Sequence, residues 1–78
     1  HVDELSYNLL QNMKIILNKN PRVIPDHISV LDLLSYFKIE LKYIAVEVNE
    51  SIVPKSEYKN LTLKENDKIE IINAVGGG

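Results

Sequence analysis

The sequence ends in three consecutive glycines, Gly76, Gly77 and Gly78, which directly follow Val75. A glycine-rich loop that binds phosphate is followed by a helix whose amides face the anion, and no helix follows this triplet. The chemistry expected here is instead that of an α-carboxylate on a thin arm, because glycine has no Cβ to restrict the backbone. We expect such an arm to enter a narrow channel and to present the carboxylate of Gly78 to another protein's active site.

An inert chain end is the simplest alternative for these glycines, since termini are often disordered and tolerate change. The remaining residues offer few other reactive groups. The chain contains no cysteine, which excludes a disulfide framework, a thiolate zinc site and a cysteine nucleophile. Its two histidines, His1 and His27, are too few for a histidine-rich metal site. We therefore expect no metal and no permanently bound cofactor.

Size and charge limit the classes of partner. The 78 residues fit one small domain with a net charge of −2, and the interleaved charges give no electrostatic footprint for nucleic acid. The apolar runs are too short to cross a membrane, and no basic segment precedes an apolar one as in a secretory signal. These features predict a protein of the cytoplasm or an organelle stroma, with no nucleic-acid or membrane partner.

The first twelve residues differ from those that follow. Val2, Leu5 and Leu9 recur at helical spacing, but a helix of this length is not stable alone. We predict that residues 1–12 are an N-terminal extension outside the core, and that residues 13–78 form the domain, with residues 74–78 as its flexible C-terminal tail.

The first half of this domain is predicted to be a hairpin followed by a helix. Met13–Asn18 and Arg22–Pro25 have the composition of short strands, and the intervening Lys19–Pro21 is typical of a turn. Ser29 suits a helix N-cap, with Asp32 three positions later. The helix is predicted from Val30 to about residue 38. One face of it is apolar, comprising Val30, Leu33, Leu34 and Phe37.

The second half is predicted to contain strands and, at residues 55–60, an irregular segment or one helical turn. Tyr43–Val48 alternates between apolar and other residues, and a turn leads to a short edge strand, Ser51–Pro54, that ends at its proline. Leu61–Leu63 is predicted as another brief strand, and Lys68–Asn73 as the last one. The economical way to bury this pattern is an α+β fold, in which a mixed sheet packs on the single helix with its first and last strands parallel.

The face of the sheet away from the helix is predicted to carry an apolar patch. With Ile15 and Leu17 directed inward, strand alternation directs their neighbour outward, and the same argument applies to the later strands. The predicted patch comprises Ile16, Tyr43, Ala45 and Ile72. Exposed apolar patches often mark partner sites, although single apolar residues on a surface are ordinary.

The element order and the glycine ending resemble the ubiquitin-like β-grasp proteins, and more narrowly the sulfur carriers of the ThiS family. The resemblance covers residues 13–78. It is carried by these segments in this order: Met13–Asn18, Ser29–Leu34, Ala45–Asn49, Ile52–Lys55, Tyr58, Asp67–Ile71 and Val75–Gly78.

The resemblance implies a carrier that is not itself an enzyme. A ThiF-type adenylyltransferase would use ATP to join Gly78 to AMP, and sulfur from a persulfide donor would then replace the AMP to give a thiocarboxylate. Ala74, Val75, Gly76 and Gly77 would form the arm that enters the partners' active sites. The thiocarboxylate would supply sulfur to a ThiG-type thiazole synthase, for thiazole formation in thiamin biosynthesis.

Three other functions fit the same residues. A MoaD-like carrier for molybdopterin synthesis has the same fold and glycine ending but is typically longer. A ubiquitin-like modifier would join its terminal glycine to lysines of other proteins, and a plain interaction module would have an inert tail. The short core and the arrangement of Val48–Asn49 before Ile52–Pro54 favour the ThiS-like carrier.

Overall fold

The computed structural model describes residues 11–73. The strands are β1 (Asn12–Leu17), β2 (Asn20–Pro25), β3 (Ile44–Val48), β4 (Ser51–Val53) and β5 (Lys68–Asn73), and the helix is α1 (Val30–Tyr36). One 3-10 turn, Lys55–Glu57, follows β4. The predicted element order is thereby confirmed, apart from the predicted strand Leu61–Leu63. Residues 1–10 of the predicted extension and the predicted tail, residues 74–78, lie outside the described residues.

The five strands form one mixed sheet in the order β2-β1-β5-β3-β4. β1 and β5 are parallel, as the sequence predicted, and Ile16 is aligned with Lys68. The pairs β1–β2, β3–β5 and β3–β4 are antiparallel. The last strand therefore lies at the centre of the sheet, between the two hairpins.

Both hairpins close through two-residue turns with left-handed backbone. Asn18 and Lys19 have φ of 48° and 72°, and Asn49 and Glu50 have φ of 52° and 73°. Two successive positive φ values identify a type I′ turn, whose twist matches that of the flanking strands. The sequence predicts the first turn one residue too late, at Lys19–Pro21. Proline is common in turns, but Pro21 belongs to β2.

Side chains from one face of the sheet and from α1 form a single core. Strand alternation assigns the faces as predicted: Ile15 and Leu17 are buried, and Ile16 between them is only half-buried. Truncating a large side chain in such a core to alanine costs about 2–5 kcal/mol. The buried residues are Met13, Ile15, Leu17, Ile24, Val30, Leu33, Leu34, Val46, Val53, Tyr58, Leu63 and Ile69.

The helix begins at the predicted capping box. The Ser29 hydroxyl accepts a hydrogen bond from the Asp32 N–H at 3.1 Å, and the Asp32 carboxylate accepts one from the Ser29 N–H at 3.1 Å. Two more N–H groups of the first turn are satisfied from elsewhere in the chain, since Val30 donates to the Leu61 carbonyl and Leu31 to the Tyr58 carbonyl. The helix ends at Tyr36, two residues before the predicted end.

The predicted strand Leu61–Leu63 is wrong. Thr62 forms one isolated β-bridge with Ser29, and Leu63 donates to the Ile28 carbonyl at 2.9 Å. The alternation in this segment arises because its leucines face the core from beside the helix N-terminus, where no strand is available for a continuous ladder.

The outer edge of β2 contains two prolines. Leu17 and Asn20 form the hydrogen-bonded pair that closes the two-residue turn, and from there hydrogen-bonded and non-hydrogen-bonded pairs alternate along the hairpin. Pro21, Val23 and Pro25 fall in non-hydrogen-bonded pairs, so their backbone nitrogens are directed away from β1. Proline has no N–H to donate, so it is tolerated at such positions. Of the three outward-directed nitrogens of β2, that of Val23 therefore has an N–H that another strand could use.

The buried Tyr58 predicts a loss of stability in alkali. Burial raises the pKa of the Tyr58 phenol above its ordinary value near 10. Its neutral form is then favoured in the folded state, so this contribution to stability is complete below pH about 10 and is lost as the pH rises through the folded pKa. Urea unfolding between pH 8 and 11 should show a decline of at most about 1.4 kcal/mol per pH unit from this group. The decline should be shallower in Tyr58→Phe, and equal slopes in the two proteins would contradict the prediction.

Candidate functional site

The predicted tail, residues 74–78 with the reactive carboxylate of Gly78, lies outside the described residues. The structure shows the residue after which that tail begins, which is here called its base. That base is Asn73, the last residue of β5. Gly78 is five residues further along the chain. Whatever fixes β5 in the sheet also fixes the point from which the tail begins.

Asn18 holds β5 from the β1 side. The N–H of Ile16 donates to the Asp67 carbonyl at 2.9 Å, and the N–H of Asn18 donates to the Ile69 carbonyl at 2.8 Å. In a regular parallel ladder the Asn18 carbonyl would accept the next bond, from Ile71. The left-handed turn takes that carbonyl away, and the Asn18 side-chain Oδ1 accepts from the Ile71 N–H instead, at 2.7 Å.

On the β3 side, the side chain of Asn49 likewise replaces a backbone carbonyl as the acceptor. Its backbone N–H donates to the Lys68 carbonyl at 2.7 Å. The reciprocal bond of an antiparallel pair would go from the Lys68 N–H to the Asn49 carbonyl. Here the acceptor is the Asn49 Oδ1, at 3.0 Å, again at the first residue of a type I′ turn. Each hairpin thus extends its ladder onto β5 by one bond through an asparagine side chain.

Asp67 completes this network just before β5. Its Oδ1 accepts from the Asn49 Nδ2 at 3.0 Å, which fixes the amide so that its oxygen faces Lys68. Its Oδ2 accepts from the Lys64 N–H at 2.8 Å and closes the preceding turn. One carboxylate therefore joins the turn before β5 to the β3–β4 hairpin.

From the sequence these asparagines are predicted only to lie in or beside turns, and their bonds to β5 are not predicted. A signal was present. Asn is favoured at the first position of a type I′ turn, and Asn18 and Asn49 each end an apolar strand. The pairing of each amide with β5 could not be inferred, because it depends on which strands are neighbours.

Three of the four residues of the predicted apolar patch lie at the same end of the sheet. Ala45 and Ile72 are directly paired across β3 and β5, and Ile72 is 46% exposed. Tyr43, predicted as the first residue of the strand, lies just before β3 with φ of 58°, so alternation does not assign its side chain to a face, and it is 58% exposed. We call Tyr43, Ala45 and Ile72 the outer patch. It adjoins Asn73, where the chain leaves the sheet.

Ile16 lies apart from the outer patch. It is aligned with Lys68, which is four residues before Ile72 on β5. At about 3.3 Å per residue, the separation along the strand is roughly 13 Å. Whether any of these residues contacts a partner stays a prediction.

A pair of like charges lies between these apolar residues. Glu47 and Glu70 are directly opposite each other on β3 and β5, and neither forms an ion pair within residues 11–73. Like charges directly opposite on a sheet are destabilising. The outer face therefore combines an apolar end near Asn73 with an acidic centre.

The described residues contain no assembled metal centre. Across residues 11–73, no group of three or more His, Asp or Glu side chains is placed to hold a metal ion. An open groove lies beside β4, but Asn49 and Asp67 at its end are already engaged with each other. Within the same range, no helix is both long and apolar enough to cross a bilayer. The arrangement is suited to presenting a chain end.

Removing the Asp67 carboxylate should destabilise the fold through this network. Asp67→Ala leaves the Lys64 N–H and the Asn49 amide without their acceptor, and hydrogen bonds to charged groups contribute about 1.5–3 kcal/mol each. We expect the free energy of unfolding in urea to fall by about 2 kcal/mol. Glu65→Ala is the matched control, since the exposed Glu65 accepts one longer bond, 3.3 Å from the Lys14 N–H. A similar loss in both variants would contradict the prediction.

Comparison with known proteins gives a family match over most of the chain. The family model described as "ThiS family" matches residues 9–78. The sulfur carrier protein ThiS of Bacillus subtilis is 40% identical over 50 residues, which are 64% of this chain and 76% of that protein. The crystal structure of the thiamine biosynthesis protein ThiS from Geobacter metallireducens superposes with a TM-score of 0.77 at 28% identity. It covers 85% of this chain and 100% of that one.

A longer relative contains a similar segment. A thiazole synthase of Paramagnetospirillum magneticum is 36% identical over 66 residues, which are 85% of this chain. The matched region is 20% of that protein, so the chain spans about a fifth of its length.

Proposed function

The chain belongs to the ThiS family of sulfur carrier proteins, with its ubiquitin-like β-grasp fold and its link to thiamin biosynthesis, and on that premise we propose that it carries sulfur as a thiocarboxylate on Gly78. The observation that carries the proposal is the course of β5. The central strand of the sheet is held from both sides and leads directly, along the sequence, into Ala74 and the glycines.

The first proposed step activates a carboxylate that is otherwise a poor electrophile. In the active site of a ThiF-type adenylyltransferase, a carboxylate oxygen of Gly78 attacks the α-phosphorus of ATP. Pyrophosphate leaves, and the glycyl carbon is bound to AMP, which is a good leaving group. The partner supplies the ATP site, and this chain supplies the carboxylate.

The second step brings in sulfur. The terminal sulfur of a partner's persulfide attacks the glycyl carbon and expels AMP, which leaves an acyl disulfide between Gly78 and the partner's cysteine. A second thiol attacks the cysteine sulfur of that disulfide. The products are a new disulfide on the partner and a thiocarboxylate on Gly78. All catalytic groups belong to the partners, and the carrier acts as their substrate.

The acceptor that we propose is a ThiG-type thiazole synthase. A thiazole synthase that contains a segment similar to this chain supports this assignment, because modules that share one polypeptide commonly act together. We place the exchange in the cytoplasm or an organelle stroma, where reducing conditions preserve thiols.

We propose that the outer patch is where these partners dock. Ile72 and Tyr43 are large apolar side chains that remain about half exposed, and they lie at the end of the sheet from which the tail begins. A partner bound there has its active site close to the base of the tail. Ile16, roughly 13 Å away along the strand, is outside the centre of that contact.

The carrier chemistry is tested by intact mass. Incubation with ATP, a ThiF-type enzyme and a persulfide donor should raise the mass by the difference between one sulfur and one oxygen atom. Deleting Gly77 and Gly78, or adding one alanine after Gly78, should abolish the increase while the circular dichroism spectrum stays unchanged. Bacillus subtilis ThiS serves as the positive control. An unchanged mass under conditions that convert it would overturn the proposal, and lysine-linked conjugates would indicate a protein modifier.

The docking surface is tested by a charge placed in the outer patch. Ile72→Glu should weaken binding to the ThiF-type enzyme by about tenfold or more, since altering a hot-spot residue near the centre of an interface costs about 2 kcal/mol or more, and about 1.4 kcal/mol is tenfold in affinity. Val23→Glu is the matched control, because Val23 is 65% exposed and lies on β2 at the opposite edge of the sheet. Calorimetric titration gives both affinities. Equal affinities for the two variants would remove the outer patch from the interface.

A further inference from the structure

We propose that Asn18 and Asn49 are positioning residues for the carrier reaction, which hold β5 so that the chain beyond Asn73 leaves the sheet in one direction. This inference rests on the proposed function, since it concerns how the Gly78 carboxylate reaches the activating site. It assigns a role to two turn residues that, in the proposed reaction, do not contact the reacting atoms.

The two asparagines act on opposite edges of β5. Asn18 bonds to Ile71 from the β1 side, and Asn49 bonds to Lys68 from the β3 side. The two bonded residues are three positions apart on the same strand. These two bonds add restraints on opposite edges of β5 to those of the β3–β5 and β1–β5 ladders, and together they oppose a rotation of the strand within the plane of the sheet.

The Asn18 bond is the one nearer to the tail. β1 turns away after Leu17, so the last residues of β5 are paired with a strand on the β3 side only. The 2.7 Å bond from the Ile71 N–H to the Asn18 Oδ1 is the last hydrogen bond that the structure describes between β5 and the first hairpin. Without it, the strand would be held by β1 only up to Ile69.

The turns alone do not require asparagine. Glycine takes a left-handed backbone more easily than any other residue, so it would serve the geometry of the first turn position equally well. It has no side-chain oxygen to accept from β5. Asparagine combines a tolerance of positive φ with that acceptor, and it does so at φ of 48° in one hairpin and 52° in the other.

In the proposed reaction the tail is enclosed in the partner's channel, and there a small rotation of β5 becomes a large displacement at the chain end. Gly78 is five residues beyond Asn73, so covalent geometry places it up to about 17 Å away. A tilt of roughly 10° moves a point at that distance by about 3 Å. Misplacement by about 1 Å can reduce the rate of a positioned reaction by 10²-fold. The direction in which β5 ends therefore affects turnover more than docking.

The decisive variant is Asn18→Gly, which keeps the left-handed turn and removes the acceptor. With the adenylating enzyme saturated in ATP, we expect kcat for pyrophosphate release to fall about ten- to a hundredfold, with KM for the carrier changed less than about twofold. Hydrogen exchange at the Ile71 amide should accelerate. Asn18→Asp, which keeps an oxygen acceptor, should restore part of kcat and of the amide protection.

Two controls separate positioning from stability. Lys19→Gly changes the next residue of the same turn, φ 72°, and should leave kcat and the Ile71 amide unaffected. Val53→Ala removes buried volume on β4, away from β5, and should lower Tm without lowering kcat at a temperature well below both transitions. Asn49→Gly should reproduce the kcat effect of Asn18→Gly, with faster exchange at Lys68.

The outcomes are distinguishable. If Asn18→Gly matches Lys19→Gly in kcat, or if Val53→Ala loses as much kcat as Asn18→Gly, the positioning role is overturned. If the unaltered chain releases no pyrophosphate with the adenylating enzyme, the proposed function itself fails, and the positioning role fails with it.

Discussion

The backbone hydrogen bonds of β5 are the constraint on which the rest of the structure depends. A central strand has donors and acceptors on both edges, and leaving them unpaired in a packed sheet would cost more than the small core could offset. The neighbouring strands β1 and β3 both end in tight turns. The backbone carbonyl of the first residue of each turn is therefore directed away from β5 and does not accept the next hydrogen bond from it. Two asparagine side chains supply the missing acceptors. The two hairpins are thereby joined into one sheet that supports the helix.

Left-handed backbone, which is strained for residues other than glycine, occurs at several positions of the chain. Within residues 11–73, positive φ occurs at Asn18, Lys19, His27, Lys38, Tyr43, Asn49, Glu50 and Asn66. All three glycines of the chain lie at positions 76–78, so none relieves the strain. A non-glycine residue in this conformation costs about 1 kcal/mol or more. It also has less freedom to lose on folding than glycine, which offsets part of that cost. The turns within residues 11–73 are thus built without glycine.

Local patterns predicted most of the fold. Alternation in β1 and β3, the proline after β4 and the Ser29–Asp32 capping box specify their elements through neighbouring residues only. The same patterns failed where the structure depends on distant partners. Leu61–Leu63 has the composition of a strand but meets no strand to pair with. Ile16 was assigned to the correct face of the sheet, but its distance from Ile72 depends on the β1–β5 register, which alternation does not specify. The amide bonds of Asn18 and Asn49 to β5 have the same nonlocal origin.

The prolines of β2 have a consequence for how this protein can meet other chains. An exposed strand edge can recruit an extended segment from another molecule, which is a common route to aggregation and to fibrils. On β2, Pro21 and Pro25 leave Val23 with the single outward N–H, and the opposite edge, β4, is only three residues long. Neither edge can template a further strand of useful length. Within residues 11–73, contacts with other chains are then favoured at the faces of the sheet and not at its edges.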